Sequence, residues 1–256
     1  MITAGIDAGS RTIKAVLWDS EKSAVVNSGA IDQGVEQRRL AGELVERLLS
    51  ELGAGRPPIA RTVATGYGRN LIDFADARIT EITCHAAGVA LVAPSTRTII
   101  EIGGQDNKVI RLDESGTVCD FDMNDRCAAG TGRFLEVVAT RLGVQLDELG
   151  LLVQQSRCPT PISSMCAVFA ETEIVGLLAG GRHPADIVAG VQAAISLRVS
   201  SMAGRNVVCP ICFTGGVALV PGMAKALQSA LGHPVAVAPH PLLTGALGAA
   251  LLALEI

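Results

Sequence analysis

The sequence predicts an α/β fold with two related lobes around a nucleotide cleft. Short aliphatic runs alternate along the chain with helix-periodic segments, as expected of an α/β protein. A turn containing Gly and Asp follows the first strand, and a similar turn returns near the middle of the chain. The composition is 49% hydrophobic but only 3% aromatic, so the predicted core consists of Ala, Val, Leu and Ile.

The first half of the chain is predicted to run as strand, turn, strand, strand and helix. Ala8-Gly9-Ser10-Arg11 is the predicted turn between the first two strands. Hydrophobic patterning predicts strands at residues 2–7, 12–18, 24–30 and 62–66, and helices at residues 36–52 and 81–92.

The second half repeats this opening before helices dominate. We predict strands at residues 97–102, 108–112, 117–121, 207–214 and 235–238, and helices at residues 133–142, 167–178, 186–203, 224–231 and 245–254. The stretch from Gly5 to Lys14 resembles the stretch from Gly103 to Lys108. This weak internal repeat predicts an N-terminal lobe over residues 1–95 and a C-terminal lobe over residues 96–256, with the final helix packing back on the first lobe.

Charge and hydropathy argue against several classes of function. The net charge is −4 and there is no long Lys/Arg run, which disfavours nucleic acid and anionic membranes as partners. The longest apolar run, residues 242–254, is shorter than the roughly 20 residues that a membrane-spanning helix needs. The first residues lack the pattern of a signal peptide, so we expect a cytoplasmic protein whose seven cysteines are reduced, metal-bound or redox-active.

The first turn contains the groups that a phosphate-binding site needs. Its glycine lets the backbone approach a phosphate, while turn N–H groups and hydroxyls donate to phosphate oxygens. Asp7 is an acceptor that can hold Mg²⁺ through its water shell. The other predicted nucleotide-binding residues of this turn are Gly9, Ser10, Arg11, Thr12 and Lys14.

A second set of residues offers similar chemistry from the other lobe. Gly104 can approach phosphate, and Asp106 or Gln105 could orient the attacking water. Gly215 and Gly216 follow a strand, where a glycine pair lets an adenosine approach. The chain has no Walker phosphate-loop motif, so the predicted site is not of the Walker type. It also lacks a Gly-x-Gly-x-x-Gly after the first strand, which disfavours a Rossmann dinucleotide site.

Cys127 lies in the stretch Asn124–Glu136, ahead of three small residues and a helix that Thr131 can cap. Backbone N–H groups at a helix start favour a thiolate, which suits a soft metal or an iron–sulfur cluster. The alternative is a small buried side chain in a Gly-rich turn.

Six stretches of the chain together form a recognisable set of motifs. They are Gly5–Ser10, Ala64–Asn70, Glu81–Ala86, Ile102–Asp106, Cys127–Phe134 and Ile162–Glu171. With these motifs the chain resembles one family of the actin, sugar-kinase and Hsp70 ATPase superfold, and is similar to the activators of 2-hydroxyacyl-CoA dehydratases and to the ATPase subunits of benzoyl-CoA reductase. One departure is Leu242, at a position where the family often has Gln, which bears on nucleotide selectivity.

The resemblance implies an ATPase coupled to electron transfer. It assigns Cys127 and Cys166 of each of two subunits to one [4Fe–4S] cluster, shared by a homodimer that also binds ATP and Mg²⁺. Ferredoxin or flavodoxin would supply an electron, which ATP hydrolysis drives at low potential into a dehydratase. The alternatives are an ATPase subunit of a benzoyl-CoA reductase-type enzyme, a small-molecule kinase of the same superfold and a cluster-free nucleotide-switched binding module.

Other cysteines and acidic residues allow competing interpretations. Cys119 and Cys158 could complete a cluster within one chain, but a structural or incidental role is preferred for both. Cys209 and Cys212 either belong to the core of a strand or take part in metal or redox chemistry. Cys84 and His85 either pack in the interior or bind a metal. Glu171 and Glu173 either lie on a solvated helix face or act near the nucleotide and in coupling between the lobes.

Overall fold

The computed structural model describes residues 1–55, 57–163, 166–204 and 207–256. Contacts divide the chain into two compact units. The first unit comprises Met1–Thr96, Leu112–Cys119 and Ala238–Ile256. The second unit comprises Arg97–Arg111 and Asp120–Val237.

The first unit is built on a five-stranded sheet with the order β3-β2-β1-β4-β5. Strand β1 pairs antiparallel with β2 and parallel with β4. The strands are β1 (Ile2–Ala8), β2 (Thr12–Asp19), β3 (Ala24–Asp32), β4 (Ile59–Thr65) and β5 (Ala77–Arg78). The helices are α1 (Gln37–Glu51), α2 (Glu81–Val92) and α8 (Thr244–Leu252), with a short 3-10 turn at Arg69–Leu71.

Alternation along β1 explains how this sheet is covered on both faces. Ala4 and Ile6 belong to the same buried cluster as Leu44 of α1. Thr3 donates its hydroxyl to the carbonyl of Ala250 in α8, at 2.7 Å. A Cβ on Gly5 would lie 2.0 Å from the carbonyl oxygen of Ala246, so α8 packs directly on the backbone of β1.

The second unit is built on a sheet with the order β10-β9-β6-β7-β8. Its large apolar core joins this sheet to α3, α5, α6 and α7. The strands are β6 (Thr98–Ile102), β7 (Asn107–Leu112), β8 (Val118–Asn124), β9 (Ile211–Thr214) and β10 (Val235–Val237). The helices are α3 (Gly132–Leu142), α4 (Leu149–Gln154), α5 (Ala167–Ala179), α6 (Pro184–Ala203) and α7 (Met223–Leu231), with 3-10 turns at Ala128–Gly130 and Gly216–Leu219.

The two sheets repeat one topology. In the second sheet, β6 pairs antiparallel with β7 and parallel with β9, as β1 does with β2 and β4. Asp7 faces Lys14 across the first hairpin, and Glu101 faces Lys108 across the second. The predicted α/β fold is therefore confirmed.

Some local predictions were wrong. The ninth strand was predicted from residue 207 but begins at Ile211, because Pro210 has no N–H for a ladder and instead accepts hydrogen bonds from the N–H groups of Arg97 and Thr98. Strand β5 and helix α4 were missed; β5 is only two residues long and α4 only six. No helix within the described ranges has the length and apolarity needed to cross a membrane.

Candidate functional site

The first hairpin joins β1 to β2 and carries the first predicted phosphate turn. The N–H of Gly9 donates to the carbonyl of Thr12 at 3.1 Å, which closes the turn. Lys14 Nζ lies 3.0 Å from Asp7 Oδ2, and Asp7 is buried. Arg11 is exposed and pairs with Asp32 at 3.3 Å. The predicted cation and the predicted magnesium carboxylate thus form one ion pair.

The motif Ala64–Asn70 lies against this hairpin. The N–H of Gly68 donates to the carbonyl of Ala8 at 2.8 Å. A Cβ on Gly66 would lie 2.6 Å from both Ala8 and Asp7 Oδ1, so this backbone approaches the carboxylate closely. The sequence showed the motif but not that it supports the first turn.

Cys84 and His85 lie in the interior of the first unit. Burial raises the pKa of the Cys84 thiol to about 12, so this thiol is protonated at neutral pH. His85 Nδ1 lies 3.0 Å from Thr244 Oγ1 at the start of α8. A Cβ on Gly245 would lie 3.1 Å from His85 Nε2 and 3.2 Å from Asp7 Oδ2. Helices α2 and α8 therefore both abut the region of Asp7.

The second hairpin joins β6 to β7 and has the same backbone closure. The N–H of Gly103 donates to the carbonyl of Asp106 at 3.0 Å, as Gly9 does to Thr12. Lys108 Nζ lies 2.9 Å from Glu101 and 2.7 Å from Asp106, and its side chain is only 1% exposed. Gln105 is exposed at the tip, where a side chain can reach a ligand.

Glu101 is a candidate residue that the sequence analysis missed. The repeat was described from Gly103 onward and so left Glu101 out, but the strand register places Glu101 at the position of Asp7. The spacing of seven residues from each acid to its lysine carried this signal in the sequence.

Gly215 lies directly against the base of the second hairpin. Its φ is +89°, a conformation that favours glycine. A Cβ at this position would lie 2.4 Å from the carbonyl oxygen of Ile102 and 2.6 Å from Glu101 Oε1. Gly216 begins the 3-10 turn that follows. The second unit thus brings Gly215, Glu101 and the second hairpin together.

Cys127 is exposed, and the side chain of Asn124 holds its backbone. The Cys127 N–H donates to Asn124 Oδ1 at 3.2 Å, and Asn124 Nδ2 donates to the Cys127 carbonyl at 2.9 Å. Thr131 occupies the N-cap of α3, but its hydroxyl donates to the carbonyl of Ala128 at 2.7 Å and accepts no helix N–H. The predicted side-chain cap was therefore wrong.

Cys166 is exposed at the N-cap of α5. Glu173 accepts hydrogen bonds of 2.8 Å from both the N–H and the hydroxyl of Ser163, ahead of the cysteine. Glu171 forms an ion pair with Arg141 of α3. Both glutamates thus brace the helices that follow the two cysteines. Ser164 and Met165 of this motif lie outside the described residues.

The remaining cysteines differ in exposure. Cys212 is buried in β9 and Cys209 is exposed before it, so the two do not share one environment. Cys119 and Cys158 are also exposed. Within the described ranges, no three His, Cys, Asp or Glu side chains come together as a possible metal site. A complete ligand set from one chain is therefore not formed by these residues.

Comparisons with known proteins cover nearly the whole chain. The model of the BadF/BadG/BcrA/BcrD ATPase family matches residues 4–253. The activator of lactoyl-CoA dehydratase from Anaerotignum propionicum is 45% identical over 260 residues, covering 100% of this chain and 98% of the relative. One of the subunits of benzoyl-CoA reductase from Thauera aromatica is 34% identical over 262 residues, covering 98% and 92%.

Solved structures agree with these matches. The activator of the 2-hydroxyisocaproyl-CoA dehydratase from Clostridium difficile, with bound ADPNP, has a TM-score of 0.93 and 41% identity, covering 100% of this chain and 95% of that one. A glucokinase of the ROK family from Streptomyces griseus has a TM-score of 0.62 at 12% identity, covering 100% of both chains. The latter likeness shows the sugar-kinase fold alone.

Proposed function

The chain belongs to the BadF/BadG/BcrA/BcrD ATPase family, and from this premise we propose that it is an ATP-hydrolysing activator of a 2-hydroxyacyl-CoA dehydratase. The observation that carries the proposal is 45% identity to a named dehydratase activator along essentially its full length. In this role the chain delivers one low-potential electron per activation, as a homodimer in the cytoplasm, with ferredoxin or flavodoxin as the donor.

The two hairpins are proposed to bind the nucleotide phosphates. Their turn N–H groups, together with Ser10 and Thr12, donate to phosphate oxygens. Lys14 bonds Asp7 Oδ2, and we assign Oδ1 of the same carboxylate to the water shell of Mg²⁺. Asp106 or Gln105 orients the attacking water. The other proposed nucleotide-binding residues are Gly9, Arg11, Gly104, Gly215 and Gly216, and Glu101 joins them through its register with Asp7.

Cys127 and Cys166 are proposed as the two ligands that each subunit gives to a [4Fe–4S] cluster. Both thiols are exposed, and each immediately precedes helical backbone. These features suit ligands whose set is completed by a second copy of the chain. When bound, the cluster would supply one-electron chemistry. The chain contributes by fixing the two thiolates and by coupling nucleotide binding to a shift between conformations.

The proposal is tested on protein purified without air. We expect about two iron atoms per chain, which is half of a four-iron cluster, and an electron paramagnetic resonance signal after reduction. Cys127→Ser and Cys166→Ser should each lose the iron while ADPNP still binds in calorimetry. Cys158→Ser is the matched control, because the Cys158 thiol is also exposed and free. The Cys158→Ser protein should retain its full iron content. Iron retained in full by Cys127→Ser would contradict the assignment.

The role of Asp106 has its own test. Asp106→Ala should slow ATP hydrolysis far more than it weakens ATP binding, because an orienting group acts mainly in the transition state. Steady-state turnover and calorimetric affinity separate the two effects. Turnover equal to that of the unchanged protein would reject this role.

The 34% identity to one of the subunits of benzoyl-CoA reductase supports a second candidate, an ATPase subunit of a benzoyl-CoA reductase-type enzyme. The same hairpins and cysteines would serve it with a different partner. Purification of the native complex distinguishes the two candidates. An aryl-CoA reductase core in that complex would count against the dehydratase.

A further inference from the structure

The second hairpin is bonded directly to the segment that carries Cys127, which we call the cysteine segment (residues 124–132). The N–H of Gly132 donates to the carbonyl of Gly103 at 2.9 Å, and the N–H of Arg133 donates to the carbonyl of Gly104 at 2.8 Å. A Cβ on Gly132 would lie 3.1 Å from the Gly103 oxygen, so the two backbones are in close contact. Any displacement of the hairpin therefore acts on the start of α3.

Asn107 adds a side-chain bond to the same junction. It is the first residue of β7, immediately after the hairpin, and it is only 2% exposed. Its Nδ2 donates to the carbonyl of Gly130 at 2.8 Å. A Cβ on Gly130 would lie 2.8 Å from this nitrogen, so the approach requires glycine. Gly130, the last of the three small residues that follow Cys127, thus leaves space for the side chain of Asn107.

The opposite end of the cysteine segment is anchored as well. The side chain of Asn124 bonds the N–H and the carbonyl of Cys127, which fixes the backbone at the cysteine itself. Between this anchor and Gly130 lie only Ala128 and Ala129 in a single 3-10 turn. A movement of Gly130 has few backbone torsions in which to dissipate before it reaches Cys127.

We infer that Asn107 is a positioning residue that couples nucleotide at the second hairpin to the environment of the Cys127 thiol. The inference rests on the proposed function, since it needs a nucleotide at this hairpin. The coupling runs entirely within the second unit, through Asn107 and Gly130 and in parallel through the two backbone bonds. Asn107 acts through its bond to the carbonyl of Gly130, within the cysteine segment.

Reactivity of the Cys127 thiol provides a readout that does not depend on electron transfer. The full-length protein is stripped of iron with a chelator and alkylated with iodoacetamide, and each cysteine is quantified by mass spectrometry. Cys127 also lines an open cavity of about 400 Å³, which gives the reagent access. ADPNP should change the alkylation rate of Cys127 about fivefold, the lower end of typical coupling between sites. Cys158, exposed and elsewhere in the unit, is the internal reference and should not respond.

The variant Asn107→Leu keeps the number and branching of the side-chain heavy atoms but removes the hydrogen-bond donor. It should bind ADPNP with an affinity near that of the unchanged protein and lose most of the ADPNP effect on Cys127. Asn27→Ala is the matched control, because Asn27 Nδ2 makes the same kind of bond, to the carbonyl of Leu48 at 2.9 Å. It should retain the full effect. Should Asn107→Leu fail to fold, Asn107→Asp removes the same donor within the same shape.

The possible outcomes separate this inference from the function on which it rests. No effect of ADPNP on Cys127 in the unchanged protein, despite measured binding, would overturn the coupling. A full effect in both Asn107 variants would overturn the role of Asn107. Absence of ADPNP binding in the unchanged protein would instead overturn the proposed function, and the inference with it. A protein that binds ADPNP but never holds iron would fail only the cluster assignment, because the thiol measurement needs no iron.

Discussion

Replacement of Lys108 by Met should strongly destabilise the second unit. The Lys108 side chain is 1% exposed and lies 2.9 Å from Glu101 and 2.7 Å from Asp106. The variant keeps an unbranched side chain but leaves two carboxylates without their shared cation. Removing one partner of a buried ion pair costs about 3–5 kcal/mol, because the remaining charge is desolvated and uncompensated. At roughly 2–4 °C per kcal/mol for a chain of this size, the melting temperature should fall by about 6–20 °C.

Two lysines elsewhere provide graded controls in the same thermal assay. Lys14 pairs with Asp7 at 3.0 Å, but its side chain is 12% exposed and it serves a single hairpin carboxylate. Lys14→Met should therefore cost less than Lys108→Met. Lys22 is 71% exposed and lies 3.9 Å from Asp19, so Lys22→Met should change the free energy of unfolding by less than about 1 kcal/mol.

A second substitution tests the reason for the loss. In the Lys108→Met background, Glu101→Gln removes one of the two carboxylate charges that have lost their cation. It should therefore recover part of the lost stability. The same Glu101→Gln change alone should destabilise, because it breaks a pair that is intact. A Lys108→Met protein as stable as Lys22→Met, or a double variant no more stable than Lys108→Met, would refute the argument from buried charge.

Three further predictions concern packing, pH and thiol reactivity. Gly5→Ala should destabilise the protein by about 1–3 kcal/mol or more, since the added Cβ would lie 2.0 Å from a carbonyl oxygen of α8. Gly176→Ala should stabilise it by about 0.5–1 kcal/mol, because there is open space around Gly176 in α5. Chemical denaturation that ranks the two variants in the opposite order would contradict both predictions. The N–H of Cys158 and the Ser156 hydroxyl hold the pKa of Asp186 below its ordinary value of 3.8, so the contribution of this carboxylate to stability is complete above pH 3.8 and is lost as pH falls through the lowered pKa. Asp186→Asn should therefore lower the melting temperature at pH 7, and the difference from the unchanged protein should shrink below about pH 4. A difference that is constant with pH would refute the assignment. With a pKa of about 12, the Cys84 thiol should be about one part in 10,000 thiolate at pH 8 and resist iodoacetamide in the folded protein, and labelling as fast as that of Cys158 would contradict its burial.

The order of elements could be predicted from the sequence because strands and helices here have distinct hydrophobic periods. The helix predicted at residues 81–92 matches α2 in both bounds, and the strands around both turns were found. Elements that lack a period of useful length, such as the two-residue β5, could not be found in this way.

The candidate site was only partly predictable, because pairing across a hairpin depends on register. The predicted repeat began at Gly103 and missed Glu101, whereas the backbone pairs Glu101 with Lys108 as it pairs Asp7 with Lys14. The sequence showed only that three small residues follow Cys127. The structure adds that Gly130 faces Asn107, a contact between residues 23 apart that no local pattern reveals.

The internal repeat accounts for the attachment of the cysteine segment to the second hairpin. In the first unit the chain leaves β3, and Gln33 donates its N–H to the carbonyl of Arg11 in the first hairpin before α1 begins. In the second unit the chain leaves β8, and Gly132 donates its N–H to the carbonyl of Gly103 in the second hairpin as α3 begins. The attachment of this connection to the hairpin is therefore common to both halves of the repeat.

What differs is the content of the connection. The first unit places Gln33–Glu36 there, with no cysteine. The second places Asp125–Thr131 there, where Asn124 bonds Cys127 and Asn107 bonds Gly130. A thiol in a connection that already contacts the hairpin is joined to the proposed nucleotide site without any new long-range contact. On this argument the coupling proposed for Asn107 needed only a short change in one loop, because the repeated fold had already joined that loop to the hairpin.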